Sequence, residues 1–213
     1  MVKIIPSLFA ANLYNLEQEC QTLKQNGFDL IHVDMMDGHF VDHISFGTSQ
    51  IKELKNHIDR AFDVHMMVSN PEKNLKQLLK SDIEYISFHY EATPHVQFMI
   101  DEIKKHNKKV GIAINPATNP SVLKSIINDL DYILILSINP GREGQKFRYE
   151  TLNRIKEVKE LVGERKIEIE VDGGIDFEIA KQCKKAGATM IVIGSYLFKK
   201  NFENLKKLKN LEE

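Results

Sequence analysis

A chain of 213 residues with 42% apolar residues can bury one sizeable core, which excludes wholesale disorder. Its 29 Lys and Arg nearly balance 30 Asp and Glu, so a net charge of −1 gives no electrostatic case for nucleic acid or an anionic membrane as partner. Cys20 and Cys183 are the only cysteines and sit in no metal-binding spacing, which argues against a disulfide framework and for a reducing, cytoplasmic setting.

The apolar start, Met1–Ala11, is short and interrupted by Pro6, so it reads neither as a signal peptide nor as a membrane span. In chain order, Ile4–Leu8 reads as a strand. Leu13–Gln25 reads as a helix, with Leu13, Leu16, Cys20 and Leu23 at three- and four-residue spacing. Strand Leu30–Asp34 follows, then Ile51–Ile58, the weakest helical pattern. Strand Ala61–Met67, helix Glu72–Leu79, strand Tyr85–His89 and helix Val96–Lys105 come next. Strand Val110–Ile114, helix Ser121–Ile127, strand Tyr132–Ser137 and helix Tyr149–Val162 continue the alternation. Strand Ile167–Val171, helix Asp176–Ala186, strand Met190–Ile193 and helix Asn201–Leu208 complete it. Asn70-Pro71 and Asn119-Pro120 supply N-cap-then-proline starts, and Gly27 and Gly187 lie where helices should end.

The strand runs are short and continuously apolar, as expected of strands buried on both faces of a parallel sheet. Eight such units predict an α/β fold of one domain over residues 1–213, a single (β/α)8 TIM barrel. The competing fold is an open doubly wound sheet. Its GxGxxG fingerprint is absent, because Ser7-Leu8-Phe9-Ala10 follows the first strand.

A parallel barrel does its chemistry where strands end. His32 and Asp34 lie two apart and so share one face of the second strand; Ile31 and Val33 take the other. Asp63 and His65 share a face of the third. Asp172 ends the seventh, followed by Gly173 and Gly174. Each group also has a plain structural reading: a His–Asp hydrogen bond, a core polar pair, a tight turn. Taken together, two histidines and two carboxylates make a competent set for a divalent metal, and the mixed N/O donors do not choose among Zn, Fe, Mn and Co.

Gly173-Gly174 after strand seven and Gly194-Ser195 after strand eight stand where barrels of this kind often hold phosphate on backbone N–H groups. The loop after strand six, Asn139–Gln145, is polar and carries Gly141 and Gly144; it reads as a lid or a further phosphate contact. His89 ends strand four with no strand-end partner in view, and His43, His57, His95 and His106 read as solvated. Met35, Met36, Met66 and Met67 suit a pocket lining or a core equally.

These motifs resemble the ribulose-phosphate 3-epimerase family along nearly the whole chain, from Ile5-Pro6-Ser7-Leu8 to Gly194-Ser195. The most specific are His32–Gly38, Asp63–Met67, Asn139–Gly141 with Gly144-Gln145, and Val171–Gly174. The resemblance implies one divalent metal on His32, Asp34, His65 and Asp172, with Asp34 as proton acceptor and Asp172 as donor. It implies substrate contacts at Ser7 and His65, methionine cover from Met36 and Met67, and phosphate or substrate loops at Gly141, Gly144, Gly173, Gly174, Gly194 and Ser195. The implied reaction is D-ribulose 5-phosphate to D-xylulose 5-phosphate through an enediolate. A homo-oligomer is also implied.

The chain departs from the family pattern in three places. Gly141-Arg142-Glu143-Gly144 replaces a Gly-Phe-Gly-Gly stretch, Leu136 stands where another pocket methionine is usual, and Asn12 replaces an acidic residue. Arg142 is placed to meet phosphate, whereas Glu143 would repel it unless paired. The first two leave the proton-transfer residues alone and bear on substrate preference. A related branch acts on allulose 6-phosphate, and a sugar-phosphate-binding protein without catalysis is a third reading.

Overall fold

Apolar runs need cover on both faces, and this chain supplies it by alternating strand and helix. A computed structural model describes residues 2–142, 144–198 and 204–212. Eight strands follow one another: β1 Lys3–Pro6, β2 Leu30–Met36, β3 Ala61–Met67, β4 Tyr85–His89, β5 Lys109–Ile114, β6 Tyr132–Leu136, β7 Glu168–Asp172 and β8 Met190–Ile193. All ladders are parallel, in the order β1-β8-β7-β6-β5-β4-β3-β2. A single parallel bridge between Ser7 and His32 joins β1 to β2 and closes the circle.

The helices are α1 Leu16–Gln25, α2 Thr48–His57, α3 Pro71–Leu78, α4 Val96–Lys105, α5 Thr151–Val162, α6 Phe177–Ala186, α7 Ser195–Phe198 and α8 Leu205–Glu212. Asp176 caps α6 by accepting from the Ile179 N–H at 2.8 Å, and Gly187 ends it at φ +122°. Asn70 makes no such capping bond, so the start of α3 rests on Pro71 at its first turn.

Two expectations change. Leu13–Asn15 forms a separate 3₁₀ turn ahead of α1. Ser121–Ile127 is not an α-helix but falls in two 3₁₀ segments, Pro120–Ser125 and Ile127–Asp129. Pro120 starts the segment and the β-branched Val122, Ile126 and Ile127 crowd it, so tight short turns replace a propagating helix. Residues 201–203, within the expected last helix, lie outside the described residues.

Strand alternation sorts side chains between two spaces. Ile31, Val33, Val64, Ile86, Ile112, Ile133 and Val171 face the helices in the main core. The barrel interior is layered. Ile5, Leu30 and Met190 plug its lower end, with Val192 packed on them and reaching the cavity above. Above them sits a buried polar layer: His32, Asp63, Ser87, Tyr132 and Glu170. Tyr132 reaches across it because Gly111 on β5 has no side chain; a Cβ there would stand 2.4 Å from the ring. The tyrosine hydroxyl donates to Asp63 Oδ1 at 2.8 Å. The site forms the layer above.

Candidate active site

Parallel register brings the candidate residues together. Asp34 on β2 pairs with His65 on β3, and Leu136 on β6 pairs with Asp172 on β7. His32, Asp34, His65 and Asp172 each offer a ligand atom, all within 4.8 Å of one another. His32 Nε2 lies 3.3 Å and His65 Nδ1 3.2 Å from the same oxygen, Asp34 Oδ1. The other Asp34 oxygen accepts from the Ser7 hydroxyl at 2.7 Å.

Asp63 behaves differently from its expected pairing with His65. It lies two residues away along one strand, but directly beside His32 in the β2–β3 ladder. Its carboxylate meets His32 Nδ1 at 2.6 Å. With Nδ1 so engaged, His32 aims Nε2 at the Asp34 carboxylate, carrying a proton there when the ring is charged and a lone pair for a metal ion when it is neutral. Imidazole lone pairs converging on a carboxylate repel unless a cation lies among them. Two imidazoles and two carboxylates, all drawn in from strand ends, therefore fit a divalent ion of intermediate softness.

Ionisation in the site is split. Burial would raise Asp34, but chiefly the charge of the His32 imidazolium more than offsets this and holds it well below the ordinary carboxylate range. Burial, and after it the Asp34 charge, push Asp172 up to about 7. Burial would lower His32, yet the Asp34 and Asp63 carboxylates override it and favour a cation there. Burial keeps His65 below the ordinary imidazole range. Beneath the site, Glu170 Oε1 is 3.7 Å from His32 Nδ1. Among the described residues, neither of its oxygens has a hydrogen-bond partner. Burial and, after it, the neighbouring Asp63 charge raise its pKa.

Asp34 and Asp172 open into a cavity of about 660 Å³. Ser7, Met36, Met67, Gly141, Gly144, Gly173, Gly174, Gly194 and Ser195 line it too, and Leu136 takes the place of the usual methionine. His32 and His65 stand behind this wall, fully buried. Met36 and Met67 pack with Val41, Phe9 and Phe40 into an apolar cluster over the carboxylates. Gly174 is held at φ +61°, and a Cβ would come within 2.8 Å of the Gln145 carbonyl oxygen. Only glycine lets the β7 loop lie so close against the β6 loop.

Three features were not foreseen. Arg142 lines the cavity rim, but its guanidinium pairs with Asp42 in the loop after β2 rather than standing free for phosphate. The two are 100 residues apart, so no local pattern signals the pair. Glu143 lies outside the described residues. Lys146 lines the same cavity and escaped notice because it belongs to no motif. His89 has partners on both sides: its Nε2 is 2.9 Å from His65 Nε2, and its Nδ1 is 3.2 Å from Glu91 Oε2. The only sequence signal was its spacing of two from Ser87, which turns it inward.

Comparison with known proteins agrees with this geometry. The model of the ribulose-phosphate 3 epimerase family matches residues 3–198. A ribulose-phosphate 3-epimerase of Bacillus subtilis is 37% identical, the match covering 93% of each chain. One of Chlamydia trachomatis is 36% identical over 97% of this chain and 90% of its own. One of Serratia marcescens is 37% identical over 92% and 94%. Among solved structures, the N-acetylmannosamine-6-phosphate 2-epimerase of Clostridium perfringens superposes with a TM-score of 0.64 at 16% identity. That match covers 98% of this chain and 93% of the other, and at such low identity it speaks for the shared barrel alone. With the family matched over residues 3–198 and these relatives aligned along nearly their whole length, the chain belongs to the ribulose-phosphate 3-epimerase family.

Proposed function

We propose that the cavity epimerises a ketose phosphate at C3, converting D-ribulose 5-phosphate to D-xylulose 5-phosphate. The observation that carries this reading is geometric: two carboxyls from separate strands, Asp34 and Asp172, line one cavity with ligand atoms within 4.8 Å of each other and of two imidazoles, and in the metal-free site their surroundings push Asp34 down and Asp172 up to about 7. A proton beside a ketone needs a base on one face and an acid on the other if the centre is to invert. Pairs whose environments drive their pKa values apart are suited to that division of labour.

In this reading Asp34 takes the C3 proton, and its hydrogen bond from Ser7 holds the free carboxylate in aim. Asp172 arrives from β7, on the far side of the β1–β8 pair, and returns a proton to the opposite face. For the reverse direction the two exchange roles. Met36 and Met67 cover the reacting carbon and exclude water that would quench the carbanion. Backbone groups of Gly173, Gly174, Gly194 and Ser195 receive the phosphate, with Gly141 and Gly144 closing over it and Lys146 adding charge at the rim.

His32, Asp34, His65 and Asp172 would hold one divalent ion, Zn, Fe, Mn or Co. Bound there, it supplies positive charge that stabilises the developing enediolate. Leu136 and the Arg142–Asp42 pair give the cavity a rim that departs from the family pattern. D-allulose 6-phosphate is therefore the second reading.

Turnover on ribulose 5-phosphate, with and without a chelator and beside allulose 6-phosphate, tests both. Chelator-sensitive turnover with the pentose preferred supports the first reading. Preference for the hexose moves the assignment to the second, and inertness toward both after metal reloading sinks the epimerase reading.

A further inference from the structure

The hydrogen-bond line leading away from His65 ends on two residues that take no part in the chemistry proposed above. His65 Nε2 lies 2.9 Å from His89 Nε2, and His89 Nδ1 lies 3.2 Å from Glu91 Oε2. Both histidines are fully buried, and the Phe40 ring, 4.7 Å from the His89 ring, walls off one side. Each neutral imidazole has one proton to share among these contacts.

The far end of the line decides where the protons go. Glu91 Oε1 accepts from the Asn115 N–H at 2.8 Å and from the Thr118 hydroxyl. An ionised carboxylate so held has nothing to donate, so Oε2 accepts from His89 Nδ1–H. His89 Nε2 is then bare and accepts from His65 Nε2–H. That leaves the lone pair of His65 Nδ1 facing Asp34 Oδ1 at 3.2 Å. The chain of donors runs one way only, from His65 out to Glu91.

We infer that His89 and Glu91 are positioning residues that fix the tautomer and ring orientation of His65, so that Nδ1 is the atom it offers to a divalent ion. The inference rests on the metal-site reading of the cavity. It assigns β4 and its following turn an outer role toward the ligand set, matching that of Asp63 toward His32. Ligating histidines generally depend on such an outer acceptor, and its loss weakens metal binding. A neutral partner at position 91 would leave both tautomers of the histidine pair open; a carboxylate selects one.

The test is histidine ¹⁵N NMR on the whole chain, followed through a zinc titration. Wild type is compared with Glu91→Gln, which keeps the shape but can donate as well as accept, and with His89→Gln. In wild type we expect His65 to be protonated at Nε2, with zinc shifting its Nδ1 signal. Both variants should bind zinc about 10- to 100-fold more weakly. A proton on Nδ1 of zinc-loaded His65, or zinc shifting Nε2 instead, overturns the inference and leaves the metal site standing. Unchanged zinc affinity in both variants, with native circular dichroism, overturns it too. Zinc that shifts no histidine signal in wild type removes the metal reading and the inference with it. Should neither variant fold, the wild-type proton pattern decides alone.

Discussion

The Ser7 hydroxyl donates to Asp34 Oδ2 at 2.7 Å across the seam where β1 meets β2. The bond occupies one oxygen of the carboxylate and leaves Oδ1 toward the two imidazoles. A hydrogen bond to a charged group contributes about 1.5–3 kcal/mol. Ser7→Ala should therefore fold and bind metal but lose about 10- to 100-fold in kcat/KM, measured by steady-state epimerisation. An unchanged value would remove Ser7 from the site.

The two-carboxylate reading makes a stronger demand. Asp34→Asn and Asp172→Asn should each lower turnover by about 10³-fold or more, since each removes one of two required proton carriers. Circular dichroism should stay native. Substantial turnover in either variant would contradict the assignment of one carboxylate to each face.

His32 is clamped between Asp63 and Asp34, at 2.6 and 3.3 Å. His32→Ala removes one of the four proposed ligands. Metal content after dialysis, read by elemental analysis, should fall well below the wild-type stoichiometry. Equal stoichiometry would take His32 out of the ligand set.

Acid should find His89. Burial, only partly opposed by Glu91, pushes its imidazole down to about 4, whereas an unfolded histidine titrates near 6.5. Between those values the unfolded chain binds a proton that the folded chain does not, so this group loses stability as pH falls from about 6.5 to 4. Glu91, drawn down to about 2 chiefly by the His89 hydrogen bond against the effect of burial, adds the same sign below about 4.5. Asp172 works in the opposite sense: raised to about 7, it destabilises as pH rises through that range. Subtracting the His89→Gln variant leaves His89 together with the part of the Glu91 shift that depends on it. The stability of metal-free wild type relative to metal-free His89→Gln should drop by up to about 3 kcal/mol between pH 7.5 and 4, by urea unfolding. A flat difference would show that folding leaves the His89 titration unshifted.

Much of the architecture was legible because it depends on local pattern. The ranges of β3, β4 and β8 follow directly from their apolar runs, and the strand-end polar residues stand out because a period of two turns them inward. What was hidden depends on register and on long-range approach. That Asp63 serves His32 rather than His65 is set by how β2 slides along β3, which neither strand encodes alone. His89 looked isolated because its partners, His65 and Glu91, sit on a neighbouring strand and in a following turn. The Arg142–Asp42 pair and the broken 3₁₀ path after β5 were invisible for the same reason: each is chosen by tertiary fit over local preference.

The seam between β1 and β2 is thin, with one bridge in place of a ladder. The Ile4 N–H finds its partner instead in the Glu212 side chain of α8, at 3.0 Å. A side chain thus does the work that a neighbouring strand does elsewhere, and it is tied down by Lys209, which also reaches the Gly27 carbonyl. Amide protons along β1 should consequently exchange with solvent sooner than those of β4 or β5, which have a strand on each side. The barrel would breathe first along the line where Ser7 touches Asp34, so slow opening of the stave and loss of the base's aim would be one event.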